Sequence, residues 1–207
     1  MKKQSCLLCA LLLAASAFAQ TPDQIITRME KEMGRHEKDG IVMTITVKVP
    51  VVGTMKTKTW TLGDKMRAEA ELMGVKVITW TEGDTEWTYN SKNNELVIER
   101  FDGTAGTDQG GAEMFDGILD GYDVSVQKED AKAWYITCKK SRKNKNKNAP
   151  KTMELTVAKG TYFPLGLSTK ASGFTMTMTG ISYGVKEKQV TFDINDYPDA
   201  KIVDKRK

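Results

Sequence analysis

The sequence predicts a mainly β protein: an incomplete, half-open antiparallel β-barrel of about eleven strands, with an N-terminal helix and an inserted helix forming a lid over an apolar cavity. Two observations carry this expectation. From residue 41 onward, apolar and polar residues alternate with a period of two across many short segments. The breaks between them fall on Gly, Asp and Asn, the residues of tight hairpin turns. Helical spacing is read at the start of the mature chain and again in its middle, and each amphipathic helix must lie on an apolar surface that the strands provide.

The opening residues, MKKQSCLLCALLLAASAFAQ, combine two lysines, a short apolar run and Ala17-Phe18-Ala19, the pattern of a secretory signal peptide cleaved after Ala19. Gln20 stands where a lipid-anchored protein would carry cysteine, so the expected mature chain, residues 20–207, is a soluble periplasmic domain without a lipid anchor. Loss of Lys2 and Lys3 lowers the formal net charge from +4 to +2, a balance that argues against nucleic acid as the main partner. Cys138 is then the sole cysteine, so no internal disulfide can form. The length suits one domain, and a monomer is expected.

In TPDQIITRMEKEMGRHEKDG, Thr21 can cap, Pro22 suits the first helical position and Gln24 completes a capping box. Ile25, Ile26, Met29 and Met33 form one stripe, and Gly34 or Gly40 can end the helix. In IVMTITVKV the period becomes two, with Ile41, Met43, Ile45, Val47 and Val49 on one face. TMKTKTWTL, KMRAEAEL, VKVITWTE, TEWTY and ELVIER follow as a meander turned at Gly63-Asp64, Met73-Gly74, Gly83-Asp84 and Asn93-Asn94. The rhythm stops at FDGTAGTDQGGAEMFDGILDGY, a glycine-rich loop and then a short helix with Met114, Phe115, Ile118 and Leu119 on one side. YDVSVQK, AWYITCKK, TMELTVAK, YFPLGLSTKA, FTMTMTGISYG and QVTFDI resume the strands, interrupted by the basic loop SRKNKNKNAP.

A large sheet with one apolar face must close on itself or be covered by helices. A curved, imperfectly closed sheet with both helices across its mouth satisfies the pattern. The expected lining of the cavity and lid is Ile26, Met29, Met33, Met43, Ile45, Val47, Trp60, Met66, Trp87, Met114, Phe115, Ile118, Leu119, Phe174, Met176 and Met178. Methionine recurs in that set, and its unbranched, adaptable side chain suits a wall that repacks around varied ligands.

VITWTEGDTEWTYNSKNNELVIER resembles the central segment of the outer-membrane lipoprotein carrier family, the LolA-like proteins: a strand, an acidic Gly-containing turn, Trp-x-Tyr, an Asn-rich turn and another strand. VTFDINDYPDAKIVDKRK is similar to the family's carboxy-terminal ending, and the order of one helix followed by strands matches as well. The resemblance implies a LolA/LolB-like incomplete barrel with a helical lid and no cofactor. It also implies a function: a carrier that takes acylated lipoproteins from an inner-membrane ABC-type lipoprotein-releasing complex and delivers them to an outer-membrane acceptor. One departure concerns the lid. Members close to the best-known carriers have an Arg-Pro pair after the second strand, whose arginine holds the lid shut; here that place reads Gly63-Asp64, followed by Lys65 and Arg67.

Catalytic signatures are weak. His36 is the sole histidine, without a triad signature around it, and reads as a solvated helix-end residue. One His and one Cys fall short of a zinc set, and Cys138, alternating with Trp134 and Ile136, reads as a buried apolar residue. Asp84, Glu86 and Glu95 lie at turns and strand starts, where carboxylates face water, and the glycines at 103, 106, 110 and 111 lack the Gly-Lys-Ser/Thr of a phosphate loop. Arg142, Lys143, Lys145 and Lys147, with Lys139 and Lys140, could meet anionic headgroups or an acidic partner, although a solvated hairpin tip is the simpler reading. The expectation is a binding protein, not an enzyme. The alternative is a periplasmic lipid-binding or lipoprotein-sensing regulatory protein of the same fold.

Overall fold

The computed structural model describes residues 20–50, 53–101, 115, 117–147, 149–171 and 173–206. The expected signal peptide, the glycine-rich loop and Met114 lie outside them.

Helix α1 (Pro22–Arg35) starts as its sequence dictates: Thr21 accepts from the Gln24 N–H at 3.3 Å, and the Gln24 side chain accepts from the Thr21 N–H at 3.1 Å. It ends at His36, not at either expected glycine. A 3-10 turn (Glu37–Asp39) then leads to Gly40, whose φ of 67° turns the chain into the sheet. A side chain there would meet the Thr61 carbonyl oxygen at 2.6 Å and Val185 Cβ at 2.8 Å, so this close crossing needs glycine.

Strands β1 (Ile41–Val49), β2 (Gly53–Leu62), β3 (Lys65–Leu72), β4 (Val75–Glu82), β5 (Thr85–Asn90) and β6 (Glu95–Arg100) form one meander. After the four-residue helix α2 (Ile118–Gly121), β7 (Tyr122–Glu129), β8 (Ala133–Lys140), β9 (Thr152–Ala158), β10 (Pro164–Ala171) and β11 (Phe174–Tyr183) form another. β11 returns to pair with β1, with Ile45 opposite Met178 and Val47 opposite Met176, and so joins the two meanders. The result is a single open sheet of 12 strands in the order β12-β6-β5-β4-β3-β2-β1-β11-β10-β9-β8-β7. It is the incomplete antiparallel barrel the sequence predicts.

The carboxy-terminal end differs from expectation. QVTFDI is not a strand: α3 (Glu187–Val190) takes its start, and a 3-10 turn (Ile194–Asp196) follows. Val190 and Phe192 alternate because they drop one after the other onto a sheet face, not because the segment pairs with an edge. The twelfth strand is instead β12 (Lys201–Asp204), which lies parallel to β6.

The registers fix two ends of the sheet. One, here the open end, carries the β1–β2, β3–β4, β5–β6, β8–β9 and β10–β11 connections and the start of β7. The other, here the anchored end, carries the β2–β3, β4–β5, β7–β8 and β9–β10 connections and the last residues of β11.

Candidate functional site

Alternation in β1 sends Ile41, Met43 and Ile45 to the face on which α1 lies. Register carries that face across β11 (Met176, Met178, Ile181), β10 (Leu167), β9 (Met153, Leu155, Val157), β8 (Trp134, Ile136, Cys138) and β7 (Val124, Val126). These side chains are the floor of an apolar trough. Ile25, Ile26 and Met29 of α1, each 0% exposed, fill it from above, while Phe115 and Ile118 close the β7 side. Floor and cover together form the larger core of the molecule.

Both termini of α1 are tied at the anchored end. Tyr162, between β9 and β10, stacks on Trp134 with 5.4 Å between ring centroids and accepts hydrogen bonds from Gln20 Nε2 and Arg28 Nη1, each at 2.6 Å. It holds this position at a φ of 58°, a left-handed conformation that a tyrosine adopts only under packing constraint. At the other terminus, His36 stacks on Tyr183 at 4.7 Å and lies 2.7 Å from Asp39. The bond to that carboxylate raises the imidazole pKa above its ordinary value. The expected helix-end histidine is thus a clamp on β11.

Toward the open end the same face emerges from cover. Met55 is 40%, Leu72 48% and Phe174 36% exposed, beside partly buried Val47 and Met176. Cys138 lies on the trough floor as expected for a buried apolar residue, and burial pushes its thiol up to about 11.

Of the predicted lining, Ile26, Met29, Met33, Met43, Ile45, Phe115, Ile118, Leu119, Met176 and Met178 come together in this core. Met66, Val47 and Phe174 share the face but lie nearer its margins. Trp60 and Trp87 do not belong. Trp60 pairs with Val42 and Arg67, and Trp87 with Trp80 and Ile98, which places both on the opposite face. A strand side chain one residue out of phase points to the other side, and Trp60 is in phase with Lys56 and Lys58, not with Met55. The predicted lining lacks the floor residues Trp134, Ile136, Met153, Leu155, Val157 and Leu167, although the alternation in AWYITC and TMELTVA is enough to find all but Leu167.

The opposite face of β2–β6 is covered by the carboxy-terminal segment. Val190 packs with Trp60, Phe192 stacks on Trp87 at 5.1 Å, and Tyr197 meets Trp80 edge-on at 5.6 Å. Arg67 lies between Trp60 and Trp80, its guanidinium 5.3 and 5.5 Å from the two rings. Lys65 binds Glu82 at 2.8 Å and Glu187 at 2.5 Å, fastening α3 to the sheet. The cations near the expected latch position therefore hold the carboxy-terminal segment, not α1.

Asp84 and Glu95 lie at opposite ends of the β5–β6 hairpin and cannot act as a pair. Among the described residues no group of three or more His, Cys, Asp or Glu is placed to hold a metal. No described helix is long and apolar enough to cross a membrane.

An open, mainly antiparallel sheet with an apolar trough under an amino-terminal helix defines a class of half-barrel folds. LprF from Mycobacterium bovis shares it, with 11% identity and a TM-score of 0.53 over 84% of this chain and 98% of that one. The lipoprotein LppX from Mycobacterium tuberculosis does so with 12% identity and a TM-score of 0.52 over 82% and 98%. A looser superposition, TM-score 0.33 at 11% identity over 84% and 99%, relates it to a LolA superfamily protein from Nitrosomonas europaea. No family model and no curated protein matches the sequence. The chain has the fold of LprF and LppX.

Proposed function

We propose that the protein is a periplasmic carrier of acyl chains, those of lipoproteins released from the inner membrane and delivered to the outer membrane, and that the trough under α1 holds them. The observation that carries this reading is the trough itself: an apolar floor spanning six strands, covered by one helix through four apolar side chains, and uncovered at one end. Residues 1–19 would direct export and be removed after Ala19, an inner-membrane ABC-type complex would load the carrier, and an outer-membrane acceptor would unload it.

The energetics favour exchange over simple filling. An acyl chain of about sixteen carbons gains about 12 kcal/mol on full burial, at about 0.8 kcal/mol per methylene. Withdrawing Ile25, Ile26, Met29 and Met33 from the floor costs about 6–12 kcal/mol on the same scale. For one chain the two nearly balance, so a single acyl chain can enter and leave without nucleotide bound to this protein.

The test is capture of a triacylated lipopeptide by residues 20–207, followed through displacement of a fluorescent fatty acid. Binding should occur, and should be lost when Met176 and Met178 are both changed to Glu. If Ile118→Asp and Leu119→Asp left both binding and apo stability unchanged, the exchange of lid for cargo would be wrong.

A further inference from the structure

We infer that the open end of the sheet is a docking surface for an anionic phospholipid membrane, with the β8–β9 loop as its electrostatic contact. Residues 20–207 hold 29 Lys and Arg against 27 Asp and Glu. Seven of those cations and none of the acids fall within residues 139–151: Arg142, Lys143, Lys145 and Lys147 in the loop, with Lys139, Lys140 and Lys151 flanking them. The rest of residues 20–207 carries 22 cations against 27 acids, so a segment of charge +7 sits on a body of charge −5.

Elsewhere five lysines, Lys65, Lys76, Lys159, Lys201 and Lys205, are each within 3.6 Å of a Glu oxygen. Among the described residues, no ion pair engages any of the seven. Six of them are exposed and Lys140 is partly so. The loop is nonetheless held in place: the Ser141 N–H donates to the Gly121 carbonyl at 3.0 Å, and Asn144 Nδ2 to the same oxygen at 3.4 Å. Gly121 is the last residue of α2, whose Ile118 is 2% exposed in the trough. The cations therefore stand beside the trough cover and at the same end as exposed Met55, Leu72 and Phe174.

The chemistry of the loop selects the partner. Residues 139–151 contain no aromatic residue and no Leu, Ile, Val or Met, so they offer no anchor of the kind that dominates protein interfaces. Lysine ammoniums are compact point charges on flexible stems, suited to the diffuse field of an anionic bilayer. A second copy docking through its own β8–β9 loop would meet the same positive charge and be repelled. Docked this way, the uncovered end of the trough faces the bilayer from which chains come or to which they go; this last step alone rests on the carrier reading.

The test is co-sedimentation of residues 20–207 with vesicles of phosphatidylglycerol and phosphatidylcholine, against vesicles of phosphatidylcholine alone. Binding should favour the anionic vesicles and weaken with salt. Lys143→Gln, Lys145→Gln and Lys147→Gln together should reduce it by about 100-fold, at about fivefold per charge. The charge-matched set Lys38→Gln, Lys132→Gln and Lys188→Gln should change it little. Equal binding to neutral vesicles, or equal loss in the charge-matched set, would overturn the inference. So would capture by poly-glutamate with no vesicle binding, which would assign the loop to an acidic protein. Fatty-acid displacement on the same variants separates the two readings: intact docking without acyl capture breaks the carrier reading, and acyl capture without docking breaks this one.

Discussion

The trough face and the aromatic face are both sheet surfaces under a covering segment, yet the two covers are held by different means. α1 meets its floor through the flexible or branched aliphatic side chains of Ile25, Ile26, Met29 and Met33, with polar and ring ties at Gln20, Arg28 and His36. The carboxy-terminal segment meets its face through stacked rings, the Lys65 ion pair to Glu187 and a strand hydrogen-bonded to β6. Rings interlock in few geometries, whereas methionine and isoleucine can trade one apolar neighbour for another at little cost. The difference separates a cover that can be exchanged from one that is fixed.

Substitutions can break this comparison, the largest first. Trp80→Ala should destabilise the protein by about 3–5 kcal/mol in urea unfolding, as large aromatic truncations do, while leaving the fatty-acid affinity of the folded protein unchanged. Met29→Ala should cost about 2–5 kcal/mol yet tighten apparent acyl binding by about 30-fold or more, because only the closed state loses contacts. Weaker acyl binding in Met29→Ala would mean that α1 is part of the binding wall and not the cover that cargo displaces. Gly40→Ala should cost about 2–3 kcal/mol, since the crossing joins β1 to both Thr61 and Val185 and the added methyl must force strands or φ to shift.

A smaller effect sharpens the picture of the floor. Cys138 keeps its proton in the folded chain until about pH 11, while an unfolded thiol loses it near 9. The group contributes nothing to the pH dependence below the lower value, and stability falls as pH rises between the two. Cys138→Ala should remove that part of the slope in urea titrations. Alkylation of the native thiol at pH 8 should be slow, and an iodoacetamide rate equal to that of unfolded protein would contradict a closed trough.

The meander, the capped first helix and the trough stripe were legible in the sequence because each rests on local chemistry: Gly-Asp turns, a Thr21–Gln24 box and period-two alternation. What local chemistry does not specify is phase. Trp60 and Trp87 lie on strands that do border the trough face, but their parity sends them to the opposite side, which Lys56 and Lys58 already indicated for Trp60. The carboxy-terminal segment was misread for a related reason. Val190 and Phe192 alternate as strand residues do, and the partner that makes them pack as a strap is an aromatic face assembled from residues about a hundred positions earlier. β12 is four residues long and its pairing is set by the distant β6, so no pattern within it could announce a parallel strand.

The seam between β1 and β11 has a consequence for how the chain reaches this structure. Each meander can form from neighbouring hairpins, but they unite only when Ile41 finds Tyr183, across most of the chain. Closing so long a loop carries a large entropic penalty before any contact repays it, so the docking of the two halves limits the folding rate. A chain that needs its final fifth to complete its central ladder cannot join its two meanders until nearly all of it has been synthesised.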